Sequence, residues 1–443
     1  MDLVYALGLA LASPMWLYRM VRHGRYRRDL GQRFGKAPVR HGLQPVIWIH
    51  AVSLGEVNGL RALVDELAGQ LPDYEVVISS TTDTGMAQAR KLFEPKRKVF
   101  RFPLDFSWAV RRAFSRLRPD LVVLMEGEIW PNFLAVANRR GVPVVLVNGR
   151  MSENKGYPRY RLVRPLAKRL FNRLTVLGVQ DRTYADRFIS LGADPGKVRV
   201  TGMMKFDTAQ AGDRVAGADE LASALGLQVT DRLVVAGGTG DGEERLLLEM
   251  FAGLRAKGVL DARVRLAIVP RKPERFAEAA RVIGECGFGV MRRSQCPDGS
   301  ANRLPEGSVI LGDTMGELRK FYSLAAAVFV GRSLVPMGGS DMIEAAALGV
   351  PVAFGPHVFN FPQAQDLVRA GVVRQVADAA ELGVVLAGWL ADPMAAAEMG
   401  RRAREFIRSR QGATRRNVEM ICEVLGRVPA ERPGNMATRR IAT

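Results

Sequence analysis

Short and nearly continuous apolar runs alternate with amphipathic stretches along most of the 443-residue chain. A first series of runs predicts seven strands, at residues 45–52, 75–81, 98–103, 121–126, 143–148, 174–179 and 198–202. A second series predicts five more, at residues 232–237, 264–269, 308–312, 326–331 and 351–355. Apolar strands joined by helical crossovers are typical of parallel sheets that helices cover on both faces. The predicted fold class is therefore α/β, with two doubly wound, Rossmann-like domains that face each other across a cleft.

The Ala-, Gly- and Asp-rich stretch 208–230 separates the two series and is predicted to be a linker. It divides an N-terminal domain over residues 41–207 from a C-terminal domain over residues 231–425. Residues 1–40 are predicted to form a membrane-proximal helix and a basic segment, and residues 426–443 a basic tail. Ligands of doubly wound sheets bind outside the carboxyl ends of the strands, so the candidate chemistry is expected there.

The N-terminal stretch 3–18 is uncharged and mostly apolar, and arginines follow it closely. It is shorter than the roughly 20 residues that span a bilayer as a helix, and no basic segment precedes it as in a signal peptide. The segment either spans, with its C-terminal side in the cytoplasm, or lies in the interface with Trp16 and Tyr18 among the headgroups. A buried core helix is the alternative, but the adjacent positive charge favours attachment to the membrane.

The formal net charge is +19, with 64 Lys and Arg against 45 Asp and Glu. This excess indicates an anionic partner, such as a phospholipid surface or a phosphorylated substrate. Nucleic acid is not favoured as a partner, because the chain lacks a recognisable nucleic-acid-binding module. Three Cys and four His give neither a disulfide framework nor a His-rich metal site, and the cysteine usage indicates a reducing compartment.

Carboxylates follow two predicted strands of the N-terminal domain. Glu56 lies at the start of a helix, where it could act as a general base towards an acceptor hydroxyl or simply favour the helix start. Glu126 and Glu128 come directly after the predicted central strand and are costly to bury without a purpose. Function is the favoured interpretation of this pair, and a structural ion pair with Arg150 is the alternative.

Other strand ends carry cations and glycines. Lys205 follows the last N-terminal strand and could meet developing negative charge, or it could pair with Asp207. In the second half, residues 270–276 place cations where a phosphate would bind, and residues 312–318 offer a turn and a helix start. Residues 338–345 open a helix with a Gly-rich loop and a glutamate that could bind ribose hydroxyls. Ordinary turn chemistry explains each of these singly, but less readily all of them together.

At these residues the sequence resembles the 3-deoxy-D-manno-octulosonic acid (Kdo) transferases of lipid A assembly, over nearly its whole length. The motifs that carry the resemblance occur in the family's order, namely Trp48–Glu56, Thr81–Gly85, Glu126–Asn132, Asn148–Ser152, Gly202–Asp207, the Pro270 motif, Gly312–Leu318 and Gly355–Phe361. Each motif is weak alone, and the order and spacing make the set specific.

The resemblance implies a GT-B glycosyltransferase that needs neither a metal nor another cofactor. Such an enzyme transfers Kdo from CMP-Kdo to the phosphorylated glucosamine disaccharide of a lipid A precursor and inverts the anomeric centre. The implied location is the cytoplasmic side of the inner membrane, with its phospholipid surface as a partner. By the resemblance Glu56 is the general base, and Glu126 and Lys205 support the transition state. The residues implied to bind CMP are Pro270, Arg271, Met315, Gly316, Glu317, Asp341, Met342, Ile343 and Glu344.

The sequence departs from the family pattern mainly in the half implied to bind the donor. Gly240, Lys272, Ser340, Asp341 and Arg332 replace residues that are usual in the family. Two alternatives therefore stand beside Kdo transfer. The protein could transfer a different nucleotide-activated sugar to a lipid acceptor, or it could be a catalytically weak, lipid-binding GT-B scaffold.

Overall fold

The computed structural model describes residues 29–154, 156–209, 212, 215–296 and 304–427, together with residues 1–3, 5–8, 13, 14, 18 and 22. These residues form two compact units. The first unit contains the chain up to Thr208 and the described residues from Gln411 onward, and the second contains Ala209–Arg410.

The first unit is built on a parallel seven-stranded sheet with the order β3-β2-β1-β4-β5-β6-β7. Its strands are β1 (Val46–Ala51), β2 (Glu75–Ser80), β3 (Val99–Arg101), β4 (Leu121–Met125), β5 (Val144–Gly149), β6 (Val176–Val179) and β7 (Val198–Val200). The strands β1, β4 and β5 are buried along their whole length, as their near-continuous apolar sequences predict. Strand β4 is the central one, so the residues that follow it leave the middle of the sheet.

Helices cover both faces of this sheet and form a hydrophobic core on each side. They span Leu30–Arg33, Leu54–Gln70, Asp83–Phe93, Ser107–Leu117, Pro131–Arg139, Gly156–Leu162, Arg164–Phe171, Arg182–Ser190 and Ala413–Val424. Trp48 lies at the centre of one core, with its ring 5.0 Å from that of Phe133 and 5.3 Å from that of Phe114. The two helices that these phenylalanines belong to are thereby fixed against β1.

The second unit is a second parallel seven-stranded sheet, with the order β10-β11-β9-β8-β12-β13-β14. Its strands are β8 (Arg232–Thr239), β9 (Val264–Pro270), β10 (Gly289–Arg292), β11 (Ser308–Leu311), β12 (Ala325–Val330), β13 (Val352–Phe354) and β14 (Arg374–Gln375). Its α-helices span Ala218–Ala224, Glu243–Ala256, Phe276–Glu285, Leu318–Ser323, Ile343–Ala347, Ala364–Arg369, Ala379–Ala391 and Pro393–Arg410. The α/β fold with two doubly wound sheets is confirmed.

The domain boundaries differ from the predicted ones at two places. The predicted linker 208–230 contains the helix Ala218–Ala224, which belongs to the second unit. The helix Ala413–Val424, predicted to lie in the C-terminal domain, belongs to the first unit. The reason is its apolar face, since Val418 and Ile421 are buried in the same core as the helix Leu54–Gln70.

The predicted membrane-proximal segment is described only in part. Trp16 and the arginines between residues 23 and 28 lie outside the described residues, as does the predicted basic tail from residue 428 onward. Among the residues that the structure describes, no single helix is long and apolar enough to cross a membrane. The pair Ala379–Ala391 and Pro393–Val424, bent by 106°, passes that test together by length and composition.

Candidate active site

Glu56 lies at the carboxyl end of β1, in the first turn of the helix Leu54–Gln70. One oxygen of its carboxylate accepts a hydrogen bond from the backbone N–H of Val52, 2.9 Å away, and the other accepts from Ser53 Oγ at 2.8 Å. Ser53 Oγ in turn accepts from the Glu56 N–H and so caps the N-terminus of the helix. The contacts that start the helix also fix the direction of the carboxylate.

Glu126 is the first residue after β4, and its backbone is left-handed, with φ of 60°. Its Oε2 lies 2.6 Å from Nε of Arg150, which follows β5. The pKa of Glu126 is raised to about 6, mainly because the carboxyl group is buried; Glu56 also raises this pKa, and Arg150 and Lys205 lower it. The ion pair with Arg150 considered from the sequence is therefore present, and it joins the ends of two neighbouring strands.

Glu128 lies two residues further along the same turn and is half-buried. Burial raises the pKa of its carboxyl group to about 7, and the negative charges of Glu56 and Glu126 act in the same direction. The nearby Trp130 indole favours the carboxylate, although the buried Nε1 forms no hydrogen bond of normal geometry within the described residues. A group with this pKa exchanges its proton close to neutral pH.

His50 lies inside β1, six residues before Glu56 in the sequence. Its ring stacks on Phe102 with centroids 3.7 Å apart, and its Nδ1 lies 3.0 Å from Ser79 Oγ. Burial lowers the pKa of His50 to about 3, so the imidazole is neutral at physiological pH. It is also fully buried, which makes it a part of the core rather than a candidate base.

Lys205 lies on the short 3-10 helix Met204–Thr208, which follows β7. The start of this helix is held by Asn148, whose Oδ1 accepts from the Met204 N–H at 3.1 Å. Asp207, the predicted alternative partner of Lys205, accepts hydrogen bonds from the backbone N–H groups of Gly412 and Thr414. Asp207 therefore caps the N-terminus of the helix Ala413–Val424.

The first unit thus brings together the three residues predicted to be catalytic. The electrostatic effects of Glu56 and Lys205 on Glu126 show that all three share one neighbourhood. Its charged groups are three carboxylates and two cations. A carboxylate can take a proton from a hydroxyl group, and a cation can stabilise negative charge, so the site is equipped for attack by an alcohol.

In the second unit, residues predicted to bind CMP lie at the ends of two strands and at two helix starts. Pro270 ends β9, and the Arg271 N–H donates to the main-chain oxygen of Thr239 at 3.1 Å. Glu344 lies in the first turn of Ile343–Ala347. Burial raises the pKa of its carboxyl group and so does Asp341, while Arg319 and Arg271 lower it. These residues form one cluster of two carboxylates and two guanidinium groups.

Other predicted donor residues have different environments. Met315 is exposed and Gly316 has a φ of +89°, as a turn requires. Glu317 accepts from Thr314 Oγ1 at 2.5 Å and lies 3.0 Å from Nε of Arg293, so its carboxylate is already engaged. The side chains of Met342 and Ile343 lie in the hydrophobic core. Like Gly316, which has no side chain, these two residues can contact a ligand only through their backbone.

The structure also shows site residues that the sequence did not suggest. Arg319 joins the Glu344 cluster from the helix Leu318–Ser323, and only its place directly after the candidate segment 312–318 hinted at this. Glu243 is fully buried and accepts N–H groups from Ser333 and Leu334, both at 2.9 Å. It thereby organises the loop after β12. No local pattern distinguishes it from an ordinary helix-start glutamate.

Comparison with known proteins identifies the family. The family model of the 3-deoxy-D-manno-octulosonic-acid transferase (kdotransferase) matches residues 28–208. The 3-deoxy-D-manno-octulosonic acid transferase of Bordetella pertussis is 34% identical over 437 residues, which are 96% of this chain and 99% of that protein. The transferase of the same name from Haemophilus influenzae is 31% identical, over 92% of this chain and 94% of that protein.

Solved structures match the fold at low sequence identity. MurG of Acinetobacter baumannii is 15% identical with a TM-score of 0.53, over 86% of this chain and 100% of that chain. The UDP-GlcNAc 2-epimerase of Neisseria meningitidis bound to UDP-GlcNAc is 14% identical with a TM-score of 0.54, over 86% of this chain and 99% of that chain. These likenesses show the two-domain GT-B fold alone. The similarity in sequence over almost the whole chain shows that this chain is a glycosyltransferase of the 3-deoxy-D-manno-octulosonic acid transferase family.

Proposed function

We propose that this protein transfers Kdo from CMP-Kdo to the phosphorylated, acylated glucosamine disaccharide of a lipid A precursor, with inversion at the anomeric carbon. The observation that carries the proposal is the geometry of Glu56. Both of its carboxylate oxygens are held by donors at the carboxyl end of β1, and it neighbours the Glu126–Arg150 ion pair. A carboxylate fixed in this way is ready to accept a proton from an alcohol.

In the proposed reaction, a hydroxyl oxygen of the acceptor forms a bond to the anomeric carbon of Kdo while Glu56 takes the hydroxyl proton. The bond from the anomeric carbon to the phosphate oxygen breaks, and its electron pair leaves with CMP. Attack on the face opposite the leaving phosphate inverts the configuration. Lys205 and Arg150 offset the negative charge of the carboxylates and of the acidic sugar.

In this proposal the second unit binds CMP, which is the leaving group. The guanidinium groups of Arg271 and Arg319 would bind the phosphate, for which paired cations are well suited. Glu344, at a helix start, would accept hydrogen bonds from the ribose hydroxyls. The backbone around Met315 and Gly316 would contact the base, since a turn with an exposed backbone offers donors and acceptors to a planar ring.

Nucleotide binding tests the donor class. We expect CMP to bind the purified full-length protein at least about tenfold more tightly than UMP or ADP, as measured by isothermal titration calorimetry. Preference for UMP or ADP would favour a different nucleotide-activated sugar. Absence of binding to all three nucleotides would favour a lipid-binding scaffold without transferase activity.

We also propose that the protein works at the cytoplasmic surface of the inner membrane. The helices Gly156–Leu162 and Arg164–Phe171 support this location, because Leu162, Val163 and Leu166 are 88%, 44% and 38% exposed at their junction. Exposed basic residues surround this apolar tip, namely Arg159, Arg161, Arg164, Lys168 and Arg169. Residues 154–180 contain no Asp or Glu. Such a combination suits an anionic lipid surface.

A further inference from the structure

Asn148 has an unusual backbone at an unusual place. It lies near the end of β5, is only 5% exposed, and has a φ of 53°. Residues other than glycine seldom adopt this left-handed conformation, and strained backbones of this kind concentrate at functional sites. Glu126, one strand away, shares the feature with a φ of 60°. The two strained residues therefore lie side by side at the carboxyl edge of the sheet.

The side chain of Asn148 is committed to the segment that carries Lys205. Its Oδ1 accepts from the Met204 N–H at 3.1 Å, and Met204 is buried. The main-chain oxygen of Asn148 accepts from Gln180 Nε2, also at 3.1 Å. Asn148 thus links the ends of β5 and β6 to the short helix Met204–Thr208.

The backbone of Asn148 acts on the other cation of the site. The pairing of β5 with β6 shifts in register between Leu146 and Gly149, so the strand is irregular at Asn148. Irregularities of this kind redirect the residues that follow them. Directly after this one, the Arg150 N–H donates to the main-chain oxygen of Glu126 at 3.1 Å, and the Arg150 side chain pairs with the Glu126 carboxylate.

We propose that Asn148 is a positioning residue that sets both cations of the site, Arg150 and Lys205, against Glu126. Its left-handed backbone directs Arg150, and its amide oxygen fixes the segment of Lys205. The proposal rests on the proposed function for its catalytic meaning. The arrangement of charge itself is a property of the free protein and can be measured without a substrate.

The first measurement is the pKa of Glu126 in the full chain. Carboxyl carbon NMR gives this pKa, and the resonance of Glu126 is assigned by its absence in Glu126→Gln. The charged groups that act on this carboxylate are Arg150, Lys205, Glu56 and Glu128, and all four are present in every variant compared. Glycine tolerates the left-handed backbone, so Asn148→Gly removes mainly the amide contact. Loosening Lys205 should raise the pKa of Glu126 by about 0.5. An unchanged pKa in Asn148→Gly would overturn the proposal, whether or not the protein transfers Kdo.

The second measurement is the rate of Kdo transfer at pH 8, where Glu126 is ionised. We expect Asn148→Gly to lower kcat at least about tenfold with the donor KM and CMP affinity unchanged. Asn148→Asp keeps an acceptor oxygen and tolerates the backbone but adds a negative charge, so it should lose clearly less kcat than Asn148→Gly. Equal losses in the two variants would contradict a role for the amide oxygen. A wild-type protein that does not bind CMP would instead count against the proposed function.

Arg118→Gly is the matched control. Arg118 is another left-handed, non-glycine residue of the first unit, with a φ of 45°, but it ends the helix Ser107–Leu117 and precedes β4 rather than following it. Replacing it relieves at least as much backbone strain at the opposite edge of the sheet, because Asn adopts the left-handed region more readily than Arg. The kcat of Arg118→Gly, and the pKa of Glu126 in that variant, should match the wild-type values. A change as large as that in Asn148→Gly would show that strain relief alone explains the effect, and would overturn the proposal.

Discussion

At the scale of single residues, the site combines half-buried carboxylates with the cations Arg150 and Lys205. Burial holds the pKa of Glu126 at about 6 and that of Glu128 at about 7, against ordinary values of 4.5. Composition and spacing indicated the Glu126–Arg150 pair, because both residues follow neighbouring predicted strands. They gave no role to Asn148, the first residue of the motif Asn148–Ser152, because its importance depends on a backbone angle and on a hydrogen bond to a residue 56 positions away.

Above neutral pH, the ionised carboxylate of Glu128 should lower the free energy of unfolding. The folded state binds its proton more tightly than the unfolded state, so its contribution to stability is lost as the pH rises from 4.5 through about 7. Glu128→Gln should therefore raise Tm at pH 8, with an upper limit of about 3 kcal/mol in the free energy of unfolding. At pH 4.5 the variant should match the wild type.

Thermal unfolding at the two pH values measures this effect, and the exposed Glu94 provides a control. Glu94→Gln should change Tm little at either pH, because an exposed carboxylate loses little hydration on folding. A Tm for Glu128→Gln that is lower than the wild-type value at pH 8 would show that the carboxylate is stabilised by contacts that outweigh its burial.

At the scale of elements, apolar periodicity located the strands that lie inside the two sheets. It missed β10 and β14, which are edge strands and are only partly buried, so their sequences lack a continuous apolar run. It also placed the helix Ala413–Val424 in the wrong unit. An amphipathic helix shows which of its own faces is apolar, but its sequence does not show which core that face enters.

The helix pair Gly156–Leu162 and Arg164–Phe171 should contribute to membrane binding. Replacing Leu162 and Val163 by Ser removes the most exposed apolar groups at the junction while leaving the arginines in place. We expect the double variant to bind vesicles of anionic phospholipid about tenfold more weakly at high salt, where attraction to the arginines is screened. Flotation of the full-length protein with such vesicles measures this.

Met394→Ser is the control for this experiment, because Met394 is also highly exposed but lies in the second unit. It should bind vesicles as the wild type does. Unaltered flotation of the Leu162 and Val163 double variant at high salt would show that another surface, such as the segment 3–18, carries the attachment.

At the scale of the whole molecule, the fold alone does not identify the reaction. A UDP-GlcNAc 2-epimerase and MurG match this chain at 14% and 15% identity with similar TM-scores, although their names denote different proteins. The family follows from similarity of sequence along almost the whole chain. The high net charge of +19 is compatible with an anionic lipid substrate, but it does not specify one.

The most direct test of the account is the transfer of labelled Kdo from CMP-Kdo to a phosphorylated, acylated glucosamine disaccharide, comparing the wild type with Glu56→Gln. The amide oxygen can still accept from the Val52 N–H, and its NH₂ group can donate to Ser53 Oγ, but the amide cannot act as a base. Transfer should therefore fall by about 10²–10⁴-fold while CMP binding and Tm stay nearly unchanged. Transfer by Glu56→Gln within a few-fold of the wild type would contradict the role of Glu56. A folded wild type that transfers no Kdo to this acceptor would contradict the proposed function itself.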